Sequence, residues 1–145
     1  MKNEAIIKFV TTQTTDDNEQ DTLEINAQGT YEKTETGFVI EYDEIDEEMQ
    51  GTKTTVTVES PSRIIINRAG TYNSRLTIEE NKRHSCHYDT PAGSLIMGVF
   101  ASLVSVNLRE KGGTVRLRYT IDFNSSMVAI NFVHLTVRTK PNSKV

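Results

Sequence analysis

Val115-Arg-Leu117-Arg-Tyr119-Thr-Ile121-Asp-Phe123 puts an apolar residue at every second position and a polar one between. Successive side chains of a strand point to opposite faces, so this stretch makes a strand with one dry face and one wet face. The same alternation recurs outward from it. Toward the N-terminus it is carried by Ala5 to Thr11, Leu23 to Tyr31, and Phe38, Ile40 and Tyr42. Thr54 to Val58, Ile64 to Ile66, Tyr72 to Glu79 and His84 to Asp89 continue it. Between these runs stand the breaks a strand needs: Asp16-Asp17-Asn18-Glu19, the acidic Glu44 to Gly51, Ser60-Pro61-Ser62, Gly70 and Asn81-Lys82-Arg83. Gly29 reads as a bulge inside the second run.

Three places strain the simple alternation. Leu95, Val99, Leu103 and Val106 also fit a helical stripe, but Gly98 and three valines favour strand, giving two short strands or one bent strand. Gly112-Gly113 is read as a two-residue hairpin turn, because both glycines tolerate positive φ. The last run, Met127 to Arg138, switches phase, which predicts a bulge near Phe132. Short strands joined by short turns, without an internal repeat, describe an antiparallel meander. Closing about eight to ten such strands into a barrel removes the open edges. A sandwich would keep its edges and need long crossovers that these turns do not supply. Residues 1–145 are expected to form a single domain.

Composition narrows the function classes. Hydrophobic residues make up 36% of the chain and charged ones 25%, which suits a folded globule rather than a disordered chain. The net charge of −4 argues against nucleic acid, whose phosphates call for clustered positive charge. Arg116 and Arg118 share a strand face, but Asp122 lies on it too. A single cysteine, Cys86, allows no internal disulfide and fits a reducing compartment. Met1-Lys-Asn-Glu4 lacks the apolar core of a signal peptide, and no apolar run approaches the ~20 residues of a membrane-spanning helix. The expectation is a cytoplasmic protein without a membrane partner, in which the sequon Asn124-Ser125-Ser126 is chance.

Four short motifs then stand in order: Tyr42-Asp43-Glu44, Arg68-Ala69-Gly70, Tyr88-Asp89-Thr90-Pro91-Ala92-Gly93 and Tyr119-Thr120-Ile121-Asp122. In that order and spacing the chain resembles the YwiB-like family of small bacterial proteins, over about Ala5 to Arg138. The resemblance implies a calycin-like β-barrel, the superfamily of lipocalins and fatty-acid-binding proteins. It implies no catalytic or binding residue, only a superfamily habit of holding small apolar molecules. Secreted lipocalins carry a Gly-x-Trp near the first strand. This chain has no tryptophan, and Gly29-Thr30-Tyr31 is a distant echo of that motif.

Arg68 is the first candidate for chemistry. It keeps the phase of Ile64 and Ile66 and so points inward if they line the core. A buried guanidinium must find an anion or reach solvent at the barrel mouth. With Tyr42, Tyr88 and Tyr119 it could grip a ligand carboxylate or phosphate through its planar fork. Alternatively it pairs with Glu44, Asp89 or Asp122 and fixes the closure of the barrel. Arg83-His84-Ser85-Cys86-His87-Tyr88-Asp89 is dense in metal-ligand types. Alternation splits it, leaving at most two ligands on a face where zinc wants three or four, so no metal is expected. Neither a nucleophile elbow nor a phosphate loop is present, and Asp43 to Glu48 lacks the spacing of a calcium loop.

These observations lead to an all-β, antiparallel up-and-down, calycin- or lipocalin-like barrel of about eight to ten strands. It is expected to be no enzyme and to need no cofactor. Its expected role is to bind a small, partly apolar or anionic ligand through Arg68, Tyr42, Tyr88 and Tyr119. The alternative is a barrel filled by side chains that acts as an interaction module or homodimer, with Val39 and Ile65 on its surface.

Overall fold

The computed structural model describes residues 2–15, 17–43, 51–70, 73–90, 92–123 and 126–140. Among them, ten strands follow one another in chain order: β1 (Lys2–Thr15), β2 (Gln20–Lys33), β3 (Phe38–Asp43), β4 (Lys53–Ser60) and β5 (Arg63–Ala69). The rest are β6 (Ser74–Glu79), β7 (Arg83–Thr90), β8 (Gly93–Arg109), β9 (Gly112–Phe123) and β10 (Ser126–Thr139). Each strand lies antiparallel beside its sequence neighbour, and β1 closes on β10 from Ala5↔Thr139 to Thr15↔Ala129. The sheet is thus a closed ten-strand meander with no helix among the described residues. Closure removes the free edges that a flat sheet would expose. Tyr72, Glu44 to Gln50, Pro91 and the sequon's Asn124-Ser125, all read from the sequence, lie outside the described residues.

Alternation sorts the side chains. Ala5, Ile7 and Phe9 of β1, Val56 and Val58 of β4, and Val115, Leu117 and Tyr119 of β9 are buried inside. Burying each aliphatic side chain contributes about 1.5–3 kcal/mol, so the regular period is itself the main source of stability. Val39, on the other face, is half-buried. Ile65 is outward by phase yet only 5% exposed, and it stands apart from the interior cluster.

The irregular segments follow the sequence reading in β8, where the single bent strand holds, and depart from it in β10. Leu95 to Leu108 lies within one bent strand, β8, whose register slips between Ala101 and Leu103. The extra residue, Ser102, moves the buried set from Met97, Val99 and Ala101 to Val104, and Leu103, a member of the helical stripe, lies outside that set. The Val104 amide at the slip donates to Glu80 Oε2 at 3.0 Å. In β10 the slip lies between Met127 and Ala129, not near Phe132. From Ala129 onward the phase holds, with Asn131, Val133, Leu135 and Val137 buried and Phe132 outward at 44% exposure. A polar residue at an inward position, Asn131, made that alternation look broken.

Two glycine readings also change. The β8–β9 turn is Glu110-Lys111, while Gly112 and Gly113 open β9 with φ of 121° and 147°. A Cβ on Gly113 would stand 2.0 Å from the Asn107 carbonyl oxygen, so the glycine is needed for the close pairing of β8 and β9. Gly29 is not a bulge. It pairs in register with Ala5 and Tyr42, and a Cβ there would lie 1.9 Å from the Glu41 carbonyl oxygen.

The two ends of the barrel are unlike. At the end that carries the β2–β3 and β8–β9 turns, Tyr31 is 1% exposed and stacks on Phe38 with ring centroids 5.6 Å apart. Its hydroxyl donates to the Arg109 carbonyl at 2.5 Å, tying β2 to the end of β8 across the interior. That end is plugged. The other end, toward which β1, β5 and β7 run, is open among the described residues.

Candidate functional site

Cross-strand register decides which inward residues meet at the open end. Tyr42 pairs with Thr54, Thr54 with Arg68, Arg68 with Ser74, and Ser74 with Tyr88. Three of the four residues singled out from the sequence therefore lie on one row running over five strands. Arg68 is the central one, flanked by the small buried Thr54 and Ser74, which leave room for its long side chain. Tyr119 joins from β9, where Ala101 and Asn131 are its neighbours.

Below the mouth lies a concavity of about 470 Å³. Phe9, Ile66, Leu76 and Met97 give it an apolar lining, and Arg68, Tyr88 and Tyr119 put polar groups on its wall. Tyr42 is buried but does not line it. Gln13 and Asn131, which sequence reasoning passed over, line the same space, and Gln13 Nε2 donates to Asn131 Oδ1 at 3.0 Å. Their signal was available: Gln13 keeps the phase of Ile7 and Phe9, and Asn131 that of Val133 and Leu135. The lip carries Leu23, which is exposed, and Asp21. A cavity of a few hundred cubic ångströms, mostly apolar with a few convergent polar groups, is the usual form of a small-molecule site.

The carboxylates first considered as partners of Arg68 are committed elsewhere or lie outside the described residues. Asp122 takes the fork of Arg83 at 2.6 and 3.1 Å, and this hydrogen bonding holds its carboxyl below the ordinary range. Asp89 accepts from Ser94 at 2.7 Å and faces His87 Nε2 at 3.6 Å. Glu44 falls among the residues not described. Arg68 is near enough to Tyr119 for its charge to oppose the effect of burial on that phenol, whose pKa is nonetheless pushed up to about 12. Burial also pushes Tyr31 up to about 12.

The sign of these shifts fixes a pH dependence. A phenol kept neutral by burial contributes stability below its unfolded pKa of about 10, and that contribution is lost as pH rises from there toward 12. An ultraviolet titration should find Tyr31 and Tyr119 ionising near pH 12 or together with unfolding, while urea stability falls above pH 10. Normal titration of both phenols, checked in Tyr31→Phe and Tyr119→Phe, would contradict the burial of these side chains.

The Cys86 region is built differently from a reactive or metal site. Register between β6 and β7 is kept only at Ser74↔Tyr88 and Arg75↔His87. Beyond it the Thr77 amide donates to Cys86 Sγ at 3.4 Å, so the thiol fills the place of a ladder partner. Burial pushes the thiol pKa up, which disfavours the nucleophilic thiolate. His84 Nε2 lies 2.9 Å from Glu79 Oε1, and this bond, with Lys82 and Arg63 nearby, keeps the Glu79 carboxyl below its ordinary range. No group of three or more His, Cys, Asp or Glu side chains suited to a metal occurs among the described residues.

A family model described as a domain of unknown function (DUF1934) matches residues 7–135. The fold is also that of the crystal structure of the ywiB protein from Bacillus subtilis, with a TM-score of 0.84. That likeness covers 96% of this chain and 93% of the other at 16% identity, a level that speaks for the fold alone. No curated protein matches the chain.

Proposed function

Because this chain belongs to the DUF1934 family, whose description carries no activity, we propose from the geometry that it is a binding protein rather than a catalyst. It takes a small, partly apolar, anionic molecule into the open end of the barrel. One observation carries this reading: the inward Arg68 stands on the wall of a 470 Å³ space that also presents the apolar side chains of Phe9, Ile66, Leu76 and Met97. Barrels of this size either fill with side chains or hold one small molecule. Here the Tyr31 end follows the first course, and the mouth has room for the second. An anion at Arg68 would make charge-assisted hydrogen bonds to its planar fork, and an apolar tail would cover Phe9, Leu76 and Met97.

The exposed Ile96, Phe100 and Phe132 favour a second reading, in which the outer face meets another protein or a second copy. Native mass spectrometry of gently purified protein separates the two. A small molecule at one per chain, released on denaturation and recovered by extraction, is the expected result. A ligand-free dimer would overturn the first reading in favour of the second.

A further inference from the structure

Charge is divided unevenly along the chain. Residues 1–92 hold 18 of the 20 acidic side chains and nine of the 16 basic ones, while residues 93–145 hold seven basic and two acidic. The second part contains β8, β9 and β10, which lie side by side in the wall. A net charge of −4 thus conceals a positive stretch of barrel. Of its two acidic side chains, Glu110 lies in the β8–β9 turn and Asp122 is taken by the fork of Arg83. Asp122 therefore does not offset Arg116 and Arg118, which are exposed on β9 and form no ion pair among the described residues. Ser102, the extra residue of β8, accepts from Arg118 Nη1 at 3.0 Å, so the bulge aims this side chain.

Two aromatic rings are exposed on the same outer face. Phe132 pairs across from Arg118, and Phe100 lies one row away, opposite Thr120. They are 44% and 37% exposed. Arg118 and Phe132 border an outer concavity of about 360 Å³, together with Thr12, Thr14 and Gln20.

We propose that this face binds single-stranded RNA, with phosphates on Arg116 and Arg118 and an unpaired base stacked on Phe132. Phosphates respond to the local charge of a surface, whatever the net charge of the chain. An exposed ring beside arginines is a stacking platform that paired and stacked bases of a duplex cannot use. The Thr12 and Thr14 hydroxyls and the Gln20 amide supply donors and acceptors suited to a 2′-hydroxyl. A second copy fits this face less well, because a two-fold contact through it would bring the arginines of one copy toward those of the other. The face lies outside the wall, so the proposal goes beyond the binding of a ligand in the mouth and does not depend on it.

The test is fluorescence anisotropy of the full chain with a labelled oligouridylate of about 20 nucleotides and its deoxy counterpart. The RNA is expected to bind, at least about threefold more tightly than the DNA. Its affinity should fall at least about tenfold between about 20 and about 150 mM salt. The double substitution Arg116→Ala, Arg118→Ala should cut affinity at low salt at least about tenfold and flatten the salt dependence. Phe132→Ala should cut it at least about fivefold and leave the salt dependence as it was, the mark of stacking. All three side chains are exposed, and circular dichroism verifies that the variants are folded. Absence of binding at the lower salt, equal affinity for the DNA or for a duplex, or a Phe132→Ala variant that binds like the natural chain would overturn the proposal. So would equal competition by polyglutamate, which would make the face a docking surface for an acidic protein instead.

Discussion

Arg68→Ala should yield a folded barrel that binds an anionic amphiphile about 30- to 150-fold more weakly, a loss of about 2–3 kcal/mol. The range is that of a charge-assisted hydrogen bond made in a partly dry site. Arg68→Met keeps most of the stem that packs along the wall and should lose nearly as much affinity, which separates charge from volume. Arg68→Lys keeps the charge but not the planar fork, and should fall between the two. Competition against a fluorescent amphiphile gives the affinities, and urea unfolding gives the stabilities. Should Arg68→Ala and Arg68→Met both unfold the barrel, the guanidinium would be a structural tie and not a ligand contact. Unchanged affinity in folded variants would remove Arg68 from the site.

Arg68 could be found in the sequence because Ile64, Ile66 and Arg68 form an uninterrupted period of two, so its face follows from counting. The neighbours it meets could not be found that way. Tyr42 and Tyr88 reach its row only through four register pairings, and nothing local to either tyrosine encodes those. Gln13 and Asn131 were lost for another reason. Asn131 is polar at a position where apolar neighbours set the rhythm, so the break was read as a phase switch at Phe132 when the slip lies at Met127/Ala129. The cause in β8 is different, since Ser102 adds one residue to the ladder and shifts the buried set from Ala101 to Val104. Alternation thus makes the closed meander legible, and each bulge erases the phase beyond it until pairing restores it.

Tyr31 illustrates what the alternation conceals altogether. By period it is one more inward residue of β2, yet its hydroxyl bonds Arg109, 78 positions away, and its ring lies flat against Phe38. Its truncation is expected to be the most destabilising single change at the plugged end. Tyr31→Ala should cost about 3–5 kcal/mol, the usual range for deleting a large buried aromatic whose cavity cannot collapse. Tyr31→Phe keeps the stack and loses one neutral hydrogen bond, so about 1 kcal/mol is expected. Urea unfolding of the three proteins measures both steps, and a cost below about 1 kcal/mol for Tyr31→Ala would show that the ring is not a plug. Tyr31 bonds Arg109 at the plug and Gln13 bonds Asn131 at the mouth, two separate pairs, so at temperatures where Tyr31→Ala remains folded its affinity for an anionic amphiphile should match the natural chain within about twofold. A large loss of affinity would mean that the two ends are coupled through the barrel wall. The interior would then be one continuous space, with Arg68 at its entrance and Tyr31 as its floor.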